Sequence, residues 1–103
     1  MSHNVVTRFG TTMALSPYTR HDRLIVVDVE PQHVVVQGAE GAPPYRARCI
    51  RASDSPPLMR GDTVIVTNVN PSSDLTVVER VTPGPREGHV YELCEYQPAP
   101  GQP

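Results

Sequence analysis

Six short runs rich in β-branched or aromatic residues, each bounded by turn formers, set the terms on which this chain folds: Leu24 to Val29, His33 to Gln37, Tyr45 to Ala52, Thr63 to Val69, Leu75 to Val81 and Val90 to Tyr96. Such runs suit pleated, half-buried strands, and their close spacing suits a sandwich or barrel rather than a helical or βαβ fold. The connections agree. Glu30-Pro31-Gln32 has the length of a hairpin turn, Gly38 to Pro44 has the Gly and Pro of a longer loop, and Asn70 to Asp74 reads as a tight reversal. Between the third and fourth runs, the segment Ser53 to Arg60 contains Pro56-Pro57. Adjacent prolines lack backbone N–H donors and restrict the residue before them, so one helical turn at most fits there. The expected class is all-β, a small five- or six-stranded Greek-key barrel.

A chain of 103 residues has room for one domain. Apolar residues make up 38%, but with one Phe and no Trp the core has to be built from branched aliphatics. Nine arginines and no lysine against eleven acidic residues give a net charge of −2. That balance excludes a global positive field that would draw the protein onto nucleic acid or an anionic membrane, and leaves recognition to local guanidinium contacts. Met1 to Gly10 lacks the cationic start and apolar run of a secretory signal. No window approaches the roughly 18 consecutive apolar residues of a membrane span, so the expected location is cytoplasmic. Cys49 and Cys94 have no CxxC spacing and are expected to be reduced, buried and inert on their strands. Residues 1–20 form an extension without a clear period, 21–96 the barrel, and 97–103 a Pro-rich tail. That tail is expected to be disordered or a docking arm, and removable without cost to stability.

The residues Pro57-Leu58-Met59-Arg60-Gly61-Asp62-Thr63-Val64-Ile65-Val66 run from a Gly-Asp turn into a Val-rich strand. This pattern resembles the approach to the fourth strand in many OB folds. It is similar to the soluble domain of NfeD-type membrane-protease partners, to initiation factor one and its S1-type relatives, and to the N-terminal barrel of a ribosome-assembly GTPase. The resemblance covers Arg23 to Val81 and implies an OB-like barrel that works by binding. This chain departs from those families in having neither a membrane helix ahead of the barrel nor any lysine, so no functional residue is carried over from them.

His3, His21, His33 and His89, with the two cysteines, lack the close pairing of metal ligands, and no metal or cofactor is expected. Asp22, Asp28 and Glu30 lie close together, yet no Gly-x-Ser-x-Gly elbow or Gly-rich phosphate loop accompanies them, so no catalytic residues are expected. Arg60-Gly61-Asp62 spells an integrin tripeptide but stands where a turn into a strand is needed. The candidate binding residues are Arg46, Arg48, Arg51 and Tyr45. Alternation along Tyr45 to Ala52 turns Tyr45, Ala47 and Cys49 inward and Arg46 and Arg48 outward, with the two guanidinium-bearing positions about 7 Å apart on the strand that OB-like barrels use for ligands. Two readings follow: a protein-binding or assembly module offering an edge or groove, and a single-stranded nucleic-acid binder, which would need a positive groove and stacking aromatics.

Overall fold

A computed structural model describes residues 16–38 and 41–99. Six strands form: β1 (Arg23–Val29), β2 (His33–Gln37), β3 (Tyr45–Arg51), β4 (Thr63–Val69), β5 (Thr76–Arg80) and β6 (Val90–Pro98). No helix is present among the described residues, so none is long and apolar enough to cross a membrane. The strands close into a barrel in the order β1-β2-β3-β6-β5-β4, every neighbouring pair antiparallel. Two three-stranded meanders are thus joined along β1–β4 and β3–β6, and an even strand number lets the ring close without a parallel seam. In the ring each of the six strands has a neighbour on both sides, though not along its whole length.

Period-two alternation fills the interior. Leu24 and Val26 of β1, Val34 and Val36 of β2, Ala47 of β3, Val64 and Val66 of β4, Val78 of β5 and Leu93 of β6 are all buried in one cluster. Burying each Val or Leu side chain stabilises the fold by about 1.5–3 kcal/mol. Tyr18, which lies in the extension left unassigned by the sequence, belongs to this cluster. Its ring packs edge-on against Tyr45 at 5.9 Å and Tyr96 at 5.8 Å, plugging the barrel where β3 starts and β6 ends. Nearby, the hydroxyls of Thr76 and Ser16 are hydrogen-bonded, and burial pushes the Tyr96 phenol up to about 12.

The other end is closed by charge. Arg80 of β5 points inward and its Nη2 donates to Asp62 Oδ1 at 2.9 Å, with both side chains about 95% shielded from solvent. Asp62 also accepts the Met59 N–H at 2.8 Å and faces Arg86 Nη2 at 3.7 Å. Burial alone would raise the Asp62 carboxyl, but the Arg80 and Met59 hydrogen bonds and the two guanidinium charges outweigh it and hold the group below its ordinary value. The Arg60-Gly61-Asp62 tripeptide is therefore a structural turn: Gly61 sits at φ +90° and donates to Val26 O, and the Asp carboxylate is committed to Arg80.

In the described part of the tail, residues 97–99 are held on the barrel. β6 runs past Tyr96, pairing Gln97 with Arg46 and Pro98 with Tyr45, and the Ala99 N–H reaches Pro44 O at 3.3 Å. Ala99 is buried and lines one small cleft together with Val35 and Pro44. Pro98 is accommodated because β5 ends its pairing with β6 at Leu93, leaving that side of the strand without a neighbour that needs a donor. Residues 1–15, 39–40 and 100–103 lie outside the described region.

Two outcomes follow from this packing. Because the folded-state value of Asp62 is depressed, the folded protein binds fewer protons than the unfolded one. The contribution of Asp62 is then complete above the ordinary carboxylate value of about 4 and is lost as pH falls through the folded value. Urea denaturation across an acid series will show stability level near neutrality and falling below about pH 4. Asp62→Asn, which strands the Arg80 charge, will cost about 3 kcal/mol at neutral pH and flatten that acid limb. Truncation after Tyr96 will lower the melting temperature, corresponding to about 1 kcal/mol from the lost β3 pairing and Ala99 contact.

Candidate functional site

On β3 the predicted alternation holds: Ala47 is buried, Tyr45 and Cys49 pack half-buried against the core, and Arg46, Arg48 and Ile50 occupy the outer face. Each arginine has a carboxylate beside it. Arg46 Nε donates to Glu30 Oε1 at 2.6 Å, where the β1–β2 turn, closed by the Glu30 N–H to His33 O bond, brings Glu30 level with β3. Arg48 Nε stands 3.4 Å from Glu95 Oε1, a charge contact without hydrogen-bond geometry, so the shielded Nε has no hydrogen-bond partner.

Glu95 reaches this place through a bulge. The β3–β6 register passes from Arg48 opposite Cys94 to Arg46 opposite Gln97, giving β6 one extra residue. Glu95 takes up the difference with φ +62°, its N–H held by Asp74 Oδ2 at 2.9 Å. The Arg48 and Glu95 side chains remain 44% and 58% exposed. An ion pair this open is worth about 0–1 kcal/mol and exchanges readily for an external partner.

The remaining two candidates lie apart from this pair. Arg51 follows the inward parity of Tyr45, Ala47 and Cys49, but at the end of the strand it emerges at the barrel rim, where Nη1 donates to Ser55 O at 2.7 Å. Tyr45 is turned into the barrel against Tyr18 and stands behind the arginines rather than beside them. Sequence reasoning passed over Ile50, 42% exposed on the outer face and opposite Glu92 of β6, although the alternation that placed the arginines also placed it there. Val90 of β6, 49% exposed, lies one outward step beyond Glu92.

The cysteines sit on neighbouring strands but on opposite sides of the sheet. Cys49 is opposite Leu93, Cys94 is opposite Arg48, and both thiols are free. Burial pushes the Cys49 thiol up to about 11, with the Arg51 charge opposing it only partly. Among the described residues no three His, Cys, Asp or Glu side chains gather into a metal-binding group. The sequence matches no protein-family model, and neither the curated proteins nor the solved structures provide a match.

Native protein at neutral pH will accordingly react slowly with a disulfide-exchange thiol reagent, and both cysteines will react fully in denaturant. A rapid native phase, or an intact mass lower by two hydrogens, would contradict this placement.

Proposed function

We propose that this barrel is a non-catalytic binding module, OB-like in its mode of action and cytoplasmic. On this reading it engages a protein partner, in an interaction or assembly role, through the outer face of β3. The observation that carries the reading is the pairing of Arg46 with Glu30 and of Arg48 with Glu95 beside exposed Ile50. Arginine beside exposed apolar area is a combination enriched at protein interfaces, whose rims are polar. A single-stranded nucleic-acid site needs instead an unopposed positive groove and aromatic platforms. Tyr18, Tyr91 and Tyr96 are buried and Tyr45 is turned inward, which leaves no described tyrosine on that face. The choice of strand also accords with the OB-like resemblance, in which ligands meet the second and third strands.

The test is the double variant Arg46→Ala, Arg48→Ala. Its stability to urea will fall by no more than about 1 kcal/mol, since both pairs are partly exposed. A protein retained by the wild type from its source lysate will be selectively lost from the variant, and mixed single-stranded oligonucleotides will show no mobility shift at either of two salt concentrations. Undiminished retention would move the site elsewhere. A general oligonucleotide shift whose salt slope shrinks by about one to two in the variant would establish the nucleic-acid reading instead.

A further inference from the structure

β3 outruns β2. Their register ends at His33 opposite Arg48, and the Cys49 N–H to Gln32 O bond is the last backbone hydrogen bond between the two segments. Ile50 and Arg51 continue with strand partners only on the β6 side, Glu92 and Tyr91. Along this overhang lies a cleft of about 450 Å³, walled on one side by Pro31 and Gln32 of the β1–β2 turn and on the other by residues 48–53.

The charge on its walls sets this cleft apart. It carries two guanidinium groups, Arg48 and Arg51, and no carboxylate. Three other clefts in the described residues each include an acid: Asp22 in one, Glu30 in a second, Asp28 and Glu30 in the third. The two guanidinium groups thus face no acid within the cleft itself, while Glu95 meets Arg48 from outside it and Arg51 also borders the neighbouring cleft that holds Glu30. Donors remain open on both. The Arg48 side chain is 44% exposed and meets Glu95 only as an ion pair at 3.4 Å, and the one guanidinium hydrogen bond of Arg51 among the described residues, from Nη1 to Ser55 O, fixes that group while leaving its other donors unused.

We infer that this cleft is a carboxylate-binding site, in which Arg48 and Arg51 hold an acidic group of an extended partner segment lying beside the overhang of β3. The inference deepens the protein-binding reading and rests on it. Guanidinium forks match carboxylates in shape and charge, and an unpaired stretch of strand edge accepts an extended peptide by main-chain hydrogen bonding. Carboxylate is favoured over phosphate because the same face already matches its arginines with carboxylates, Glu30 at Arg46 and Glu95 at Arg48. Glu95 stands at the edge of the site as an internal competitor that an incoming acid displaces.

The test is a titration of the full ¹⁵N-labelled chain, followed by two-dimensional NMR, with four probes: a capped five-residue peptide of alternating Val and Glu, its Gln counterpart with an amidated end, that Gln peptide with a free carboxyl end, and inorganic phosphate. The Glu peptide will shift the amides of Gln32 and of Ile50 to Ser53, and the amidated Gln peptide will not. Binding of the free-ended Gln peptide as well would identify a chain terminus as a second source of the same carboxylate. Arg48→Gln and Arg51→Gln will each weaken Glu-peptide binding by about tenfold or more. Arg23→Gln, exposed on β1 and outside the cleft, will leave it unchanged. Should Arg51→Gln loosen the loop it anchors, seen as a lowered melting temperature, Arg48→Gln decides the matter alone. Shifts confined to the surroundings of Arg46 and Glu30, or none at roughly 10 mM peptide, would overturn the site. Shifts with phosphate alone would overturn its carboxylate specificity. If the cleft fails while partner retention still depends on Arg46 and Arg48, the proposed β3 face survives without it.

Discussion

The ion pair between Arg80 and Asp62 is where the separate parts of this barrel meet. One carboxylate receives Arg80 Nη2, the Met59 N–H and the more distant charge of Arg86. Arg80 in turn gives Nη1 to Thr82 O, while its backbone bonds His89 O and Gly88 N–H. The loop before β4, the end of β5 and the connection into β6 are therefore all referred to one pair of charges. Through Gly61 N–H on Val26 O and Val26 N–H on Asp62 O, the pair also anchors the place where β1 leaves β4 and the barrel closes. A buried pair of this kind offsets its own desolvation only with good geometry and further hydrogen bonds, which is what surrounds Asp62. Arg80 Nε, shielded and unpartnered, is the residual cost.

The reason for charge at this position lies in the composition. The chain has no Trp and one Phe, so few of its side chains are large enough to close a barrel mouth. At one end, Tyr18, Tyr45 and Tyr96 do so by edge-on packing. At the other, the methylene stem of Arg80 fills space and Asp62 neutralises its head, with Tyr91 alongside donating its hydroxyl hydrogen to Pro56 O at 2.6 Å. Tyr91 and Tyr96 mark the two ends of the same strand, so β6 supports both closures.

This division explains what the sequence could and could not disclose. Strand positions were legible because each apolar run is short and ends in turn formers; the observed limits of β1 to β4 fall within about a residue of those runs, inside the usual uncertainty of strand ends. β5 was less transparent. Leu75-Thr76-Val77-Val78-Glu79-Arg80-Val81 has apolar residues in both parities, and the structure buries Thr76, Val78 and Arg80 while leaving Val77 only half-buried. No local pattern marks an inward arginine whose partner is 18 positions away. Tyr18 was unreadable for the same reason, since its partners at 45 and 96 are distant in sequence. At the candidate site the outward positions of Arg46 and Arg48 followed from alternation, but Glu30 and Glu95 did not, because one depends on a turn and the other on a bulge.

That bulge connects the core to the site. With Tyr91 and Leu93 facing inward, an uninterrupted period of two would turn Cys94 and Tyr96 outward and Glu95 into the interior. The extra residue at Cys94–Glu95 reverses the parity, so Tyr96 enters the core at 3% exposure and Glu95 stays in solvent beside Arg48. A left-handed backbone at a non-glycine residue costs about 1–2 kcal/mol. Burial of the Tyr96 side chain, which covers more apolar surface than any Val in this core, exceeds that cost. The geometry of Glu95 is therefore dictated by the needs of Tyr96 rather than by Arg48, and the pair it makes with Arg48 is left long and open. An arginine whose counter-ion is positioned for another purpose is left in an open, exchangeable pair, and in this way a packing constraint inside the barrel sets the geometry of a charge on its surface.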